Sequence, residues 1–120
     1  MKNDYIQHMP LVCQEYYHAV DKYPDFVDKF MADNTSLPTV ENWLAIARAA
    51  SDAEKKEGYS FERTLNEEVY EVFEAYLKGE YRHCYRELAQ CAAVCVRGMD
   101  WIRNNHKEAF YGDGKETKGR

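Results

Sequence analysis

The stretch EYRHCYRELAQCAAVCVRGMDWIRNN, residues 80–105, decides the fold. Tyr81, Cys84, Tyr85, Leu88, Cys91, Ala92, Cys95, Met99 and Ile102 recur three or four positions apart, the spacing of one helix face and not the alternation of a strand. A helix this long with one apolar stripe must lay that stripe against a partner. The partner stands just before it. Ser60 is an N-cap residue, and Phe61, Leu65, Val69, Val72, Phe73, Tyr76 and Leu77 keep the same period up to Gly79, a C-cap residue. The two segments therefore form an antiparallel helical hairpin turning at Gly79.

Upstream, Val40, Trp43, Leu44, Ile46, Ala47 and Ala50 predict a helix over residues 39–57, stopped by Gly58 and preceded by the turn-forming DNTSLP of residues 33–38. A first helix is expected over residues 5–22, with Leu11, Tyr16 and Val20 among its apolar positions and Pro24 as its stop, and a short one over residues 25–32. The predicted fold class is all-α, an antiparallel four- to five-helix bundle. With 120 residues the chain has room for one core, so a single domain is expected over residues 1–110. Residues 111–120 form a tail, disordered by composition, since GDGKETKGR has no apolar anchor.

A net charge of −5 opposes an electrostatic grip on nucleic acid or on an anionic membrane surface. No segment approaches the roughly 20 apolar residues that span a bilayer, and the first residues lack the apolar run of a signal peptide, so a cytoplasmic location is expected. Cys13, Cys84, Cys91 and Cys95 contain no CxxC. Cys84, Cys91 and Cys95 with His83 form a conceivable zinc set, but they fall in the apolar stripe and fit buried thiols better. His8, His18 and His106 have no acidic or Cys partner at ligand spacing and are assigned no role.

The acidic residues are unevenly spread. Glu68 and Glu71 share one helix face, as do Glu87 and Gln90 on the next helix, and each pair is three apart. Folding about Gly79 sets Glu71 level with Glu87, each eight residues from the turn, and Glu68 level with Gln90, each 11 away. Three carboxylates and an amide then face one another beside Val69, Val72, Leu88 and the small run Cys91-Ala92-Ala93. Such charges repel unless a cation neutralises them or their pKa values rise. Hard oxygen donors of this kind suit Mg²⁺, with Mn²⁺ as a substitute. The same spacing also occurs on solvated helix faces, where it binds nothing.

These residues carry a resemblance. Glu67-Glu68-Val69-Tyr70-Glu71, then 15 residues, then Glu87-Leu88-Ala89-Gln90, resembles the Glu-Glu-x-x-Glu and Glu-x-x-Asp motifs of the MazG-like all-α nucleoside triphosphate pyrophosphohydrolases. The likeness extends through the block from Trp43 to Ala53, the lead-in from Phe61 to Leu65, and Met99-Asp100-Trp101-Ile102, and points to a short single-domain branch met in bacteria and their phages.

The resemblance implies hydrolysis of a nucleoside or deoxynucleoside triphosphate to a monophosphate and pyrophosphate. It implies Glu68, Glu71 and Glu87 as Mg²⁺ ligands, with Gln90 as an amide ligand where the motif has Asp, and Glu67 either as a support behind the ligands or as the base for the attacking water. Arg48, Lys55 and Arg63 are candidates to reach the phosphates, with Asp52 orienting Arg48 from the next turn or touching the substrate itself. Trp43, Tyr59, Tyr70 and Trp101 could stack on the base. The resemblance also implies a homodimer or homotetramer, in keeping with apolar residues on more than one face of the last helix. The alternative reading is a non-catalytic helical nucleotide-binding or interaction module that keeps the bundle.

Overall fold

The computed structural model describes residues 5–24 and 29–111. The chain is all-α, with no strand among the described residues. Its helices are α1 (Tyr5–Lys22), α2 (Leu37–Glu54), α3 (Phe61–Leu77), α4 (Tyr81–Asn105) and the single turn α5 (Glu108–Tyr111). Helix α1 keeps the expected bounds although Pro10 lies within it, where the missing N–H forfeits one main-chain hydrogen bond. Of the short helix expected over residues 25–32, residues 25–28 lie outside the described residues and 29–31 form bends. Tyr111, the first residue of the expected tail, ends α5, and the remainder also lies outside the described residues.

Helix α2 begins two residues before the expected start. Ser36 caps it, its hydroxyl accepting from the Thr39 N–H, and Pro38 sits in the first turn, where its fixed φ suits a helix and no N–H is missed. The helix ends at Glu54, short of the expected end at 57, and Gly58 beyond it takes the left-handed φ of 101°. The α2–α3 connection is closed by one side chain. Glu54 accepts from the N–H and hydroxyl of Ser60 (3.2 and 3.0 Å) and from Nε of Arg63 (3.2 Å), while Ser60 caps α3 by accepting from the Arg63 N–H. Burial pushes the Glu54 carboxyl up, but the Ser60 and Arg63 donors outweigh it and hold it below its ordinary value.

The turn into α4 follows from Gly79. Its φ of 76° is open to glycine, and there its N–H reaches the Tyr76 carbonyl (3.0 Å) while that of Glu80 reaches the Ala75 carbonyl (2.9 Å). This paired closure, a Schellman motif, reverses the chain within three residues.

The packing gathers into two compact units, residues 24–95 and residues 1–23 with 96–120, and α4 contributes to both. In the first, Val72 and Ala75 of α3 pack with Cys84 of α4, flanked by Phe30, Phe73, Tyr76 and Cys91, and the Phe30 ring stacks on Tyr76 at 4.6 Å. Helix α2 adds Val40 and Leu44, at 0% and 1% exposure. In the second unit, the buried His8 of α1 donates from Nε2 to Asp100 of α4 at 2.6 Å. No hydrophobic residue described in this second unit is buried, and Leu11, Tyr16, Val20, Trp101 and Ile102 are exposed. No described helix is long and apolar enough to cross a membrane.

Candidate metal centre

The Schellman turn at Gly79 sets α3 and α4 in the register read from the sequence. Glu68 and Glu71 of α3 and Glu87 of α4 each present an oxygen, and these three atoms lie within 4.8 Å of one another. This is the one such group of possible metal-binding side chains among the described residues. Glu68 and Glu71 are half-buried, and Glu87 is buried at 7% exposure. Gln90 completes the ring. With its amide oriented so that the nitrogen faces acceptors, it donates to Glu68 Oε1 (3.0 Å) and Glu87 Oε1 (3.3 Å).

The cluster is electrostatically strained. Burial, then the like charges of Glu71 and Glu87, raise the Glu68 carboxyl to about 7. Glu71 is also raised, by burial first; Arg48 offsets part of that and the Glu87 charge adds to it. The Cys91 thiol is pushed up to about 11 by burial, with the Glu68 charge next. Burial likewise raises Cys84, with Glu87 adding to it. The conceivable zinc set is not brought together among the described residues; His83 instead turns to carboxylates, its Nε2 3.0 Å from Glu87 Oε2 and its Nδ1 3.3 Å from Glu80 Oε1.

A divalent cation fits this donor set. Neighbouring ligands around an octahedral Mg²⁺ stand about 3 Å apart and opposite ones about 4 Å, so the carboxylates need only draw inward. An ion would also neutralise the repulsion that raises Glu68 and Glu71.

Arg48 reaches the cluster from α2. Its Nη2 donates to Glu71 Oε2 at 3.2 Å, and its Nε stands 3.9 Å from Glu67 Oε2, which brings Glu67 to the edge of the site. The expected orientation of Arg48 by Asp52 is not found, because a carboxylate across the α2–α3 gap holds the guanidinium; Asp52 is instead 3.5 Å from Lys55 on the exposed surface. Arg63 is engaged with Glu54. Thus Arg48 joins the cluster, while Asp52, Lys55 and Arg63 make their contacts elsewhere.

Trp43 and Tyr70 meet across α2 and α3 with ring centres 5.7 Å apart, bordering a shallow cleft of about 150 Å³ that also includes Ile46, Ala50, Arg63 and Asn66. Tyr59 is largely exposed, and Trp101 contacts His106 in the other compact unit. Sequence reasoning missed His83 as a partner of the cluster. The signal was present: Glu80, His83 and Glu87 stand at i, i+3 and i+7, one helix face. No family model, curated protein or solved structure matches the chain.

Proposed function

We propose that the chain is a Mg²⁺-dependent nucleoside triphosphate pyrophosphohydrolase, releasing a monophosphate and pyrophosphate. The observation that carries this reading is the group of three carboxylates within 4.8 Å on one helical hairpin, joined by Gln90 and by an arginine from a third helix. The motif resemblance supplies the reaction class, and the register of the hairpin agrees with the spacing that the motifs require.

Glu68, Glu71 and Glu87 hold the ion, with Mn²⁺ as a substitute, and Gln90 turns its amide oxygen inward to join them. The bound ion supplies charge neutralisation at the triphosphate and acidifies water. Glu67 takes the proton of the attacking water. Arg48 holds a phosphate oxygen and steadies the charge that builds as the α–β bridge breaks. This division of labour needs no protein nucleophile.

Apolar exposure supports self-association as part of the reading. Leu11, Tyr16, Val20 and Tyr23 on or just after α1, and Trp101 and Ile102 on α4, are each at least 47% exposed. A homodimer or homotetramer would cover them, and sedimentation velocity measures it directly. The free cysteines suit a reducing cytoplasm.

The test is a panel of nucleoside and deoxynucleoside triphosphates with Mg²⁺, read as pyrophosphate released. Turnover that is lost in Glu71→Gln supports the enzyme. No turnover across the panel by a folded chain would leave the non-catalytic module.

A further inference from the structure

We propose that His83 is a positioning residue: its imidazole holds the Glu87 carboxylate in the cation-ready arrangement and so sets the affinity of the site for a divalent cation. This inference rests on the metal reading above. Glu87 is the most buried of the three carboxylates and the only one supplied by α4. Left alone beside Glu68 and Glu71, it would swing away to reduce repulsion. The structure shows what prevents this. His83, one turn earlier on α4, donates from Nε2 to Glu87 Oε2 at 3.0 Å, and the Gln90 amide donates to the other oxygen at 3.3 Å.

The ring is itself fixed. Its Nδ1 stands 3.3 Å from Glu80 Oε1, and the Glu80 carbonyl accepts from the Cys84 N–H at 2.8 Å, tying that residue into the start of α4. Rotating the imidazole by half a turn would carry Nε2 away from Glu87 and lose that bond. Glu80 and His83 are half-exposed, and as an isolated pair they would be ordinary surface decoration. The bond to Glu87 differs because its acceptor is a buried carboxylate with little access to water. Partners that orient the ligands of a metal site change its affinity by about 10- to 100-fold.

The test is Mn²⁺ titration of the purified full chain, following the free-ion signal by electron paramagnetic resonance. Wild type, His83→Phe, His83→Gln and the reference Glu71→Gln are compared, with metal-free thermal unfolding confirming that each is folded. The expected result is binding by wild type, loss in Glu71→Gln, and affinity weakened about tenfold or more in His83→Phe. His83→Gln should recover most of the affinity, because the glutamine amide nitrogen can take the place of Nε2. In turnover, His83→Phe should need more Mg²⁺ yet reach the wild-type kcat at saturation, a split that a general loss of structure would not give. Equal Mn²⁺ affinity in wild type and His83→Phe, with Glu71→Gln defective, overturns the positioning role and leaves the metal site standing. Equal weakness of His83→Gln and His83→Phe overturns it as well. Failure of wild type to bind Mn²⁺ overturns the metal reading and this inference together. Should His83→Phe not fold, His83→Ala replaces it under the same criteria.

Discussion

Glu68→Gln is expected to stabilise the metal-free chain at pH 8 while removing its response to Mg²⁺. Burial, then Glu71 and Glu87, raise the Glu68 carboxyl to about 7, so the folded chain holds a proton there that the unfolded chain has released. Between the unfolded value of 4.5 and the folded value of about 7, the folded state binds more protons, and stability must fall as pH rises. Its contribution is fully present below pH 4.5 and is lost as pH passes through about 7. At about 1.36 kcal/mol for each pH unit the ceiling is roughly 3.4 kcal/mol. Glu68 is only half-buried, so water screens this to about 1–2 kcal/mol. The amide carries no such penalty. Urea unfolding of both proteins in chelator, from pH 5 to pH 8, should show a difference that widens with pH in favour of Glu68→Gln and levels off at about 1–2 kcal/mol. Adding Mg²⁺ to a hundred times its dissociation constant stabilises a native-state site by about 2.7 kcal/mol, so wild type should then overtake the variant. A pH-independent difference, or a variant less stable than wild type at pH 8 in chelator, would refute the strain assigned to this cluster.

Arg48→Met removes the 3.2 Å bond to Glu71. Because the guanidinium is half-exposed, metal-free stability should fall by less than about 1 kcal/mol, whereas kcat/KM for the triphosphate should drop by more than tenfold if the guanidinium serves the phosphates; unfolding curves and pyrophosphate release separate the two. Gly79→Ala places a side chain at φ 76° where no atom stands within 4 Å of the new Cβ, so its cost is backbone strain alone. A loss of about 1–2 kcal/mol is expected in urea unfolding.

The hairpin was legible because two local signals agreed. The helical period ran unbroken on both sides of Gly79, and glycine at that place admits the left-handed φ that a reversal requires. Counting outward from the turn then sufficed to bring Glu68, Glu71 and Glu87 together and to place Gln90 beside Glu68. Contacts between segments distant in sequence were not legible. Periodicity offered Arg48 a neighbour at i+4, Asp52, but the guanidinium bonds a carboxylate 23 positions away because α2 packs against α3. His8, to which the sequence assigned no role, meets Asp100 across 92 positions. The early start of α2 was written in Ser36 and Pro38, a cap and a first-turn proline that the DNTSLP turn signal obscured.

The excess negative charge of the chain acquires a local meaning from the groups that oppose it. Three acceptors from two helices would not stay within 4.8 Å by packing alone, since a glutamate side chain turns about three single bonds and each carboxylate could swing toward water. Each is held by at least one donor: Glu71 by Arg48 of α2, Glu68 by Gln90 of α4, and Glu87 by His83 and Gln90 of α4 together. An aspartate at position 90 would add a fourth charge and remove the donor shared by Glu68 and Glu87. Glutamine can turn either end of its amide inward, so it supplies N–H to the carboxylates without an ion and an oxygen to the ion when one binds. On this argument Gln90 lets the hairpin fold with its acids already assembled, at the cost of one ligand charge, and the affinity of the site then depends on how firmly the remaining donors hold Glu68, Glu71 and Glu87 in place.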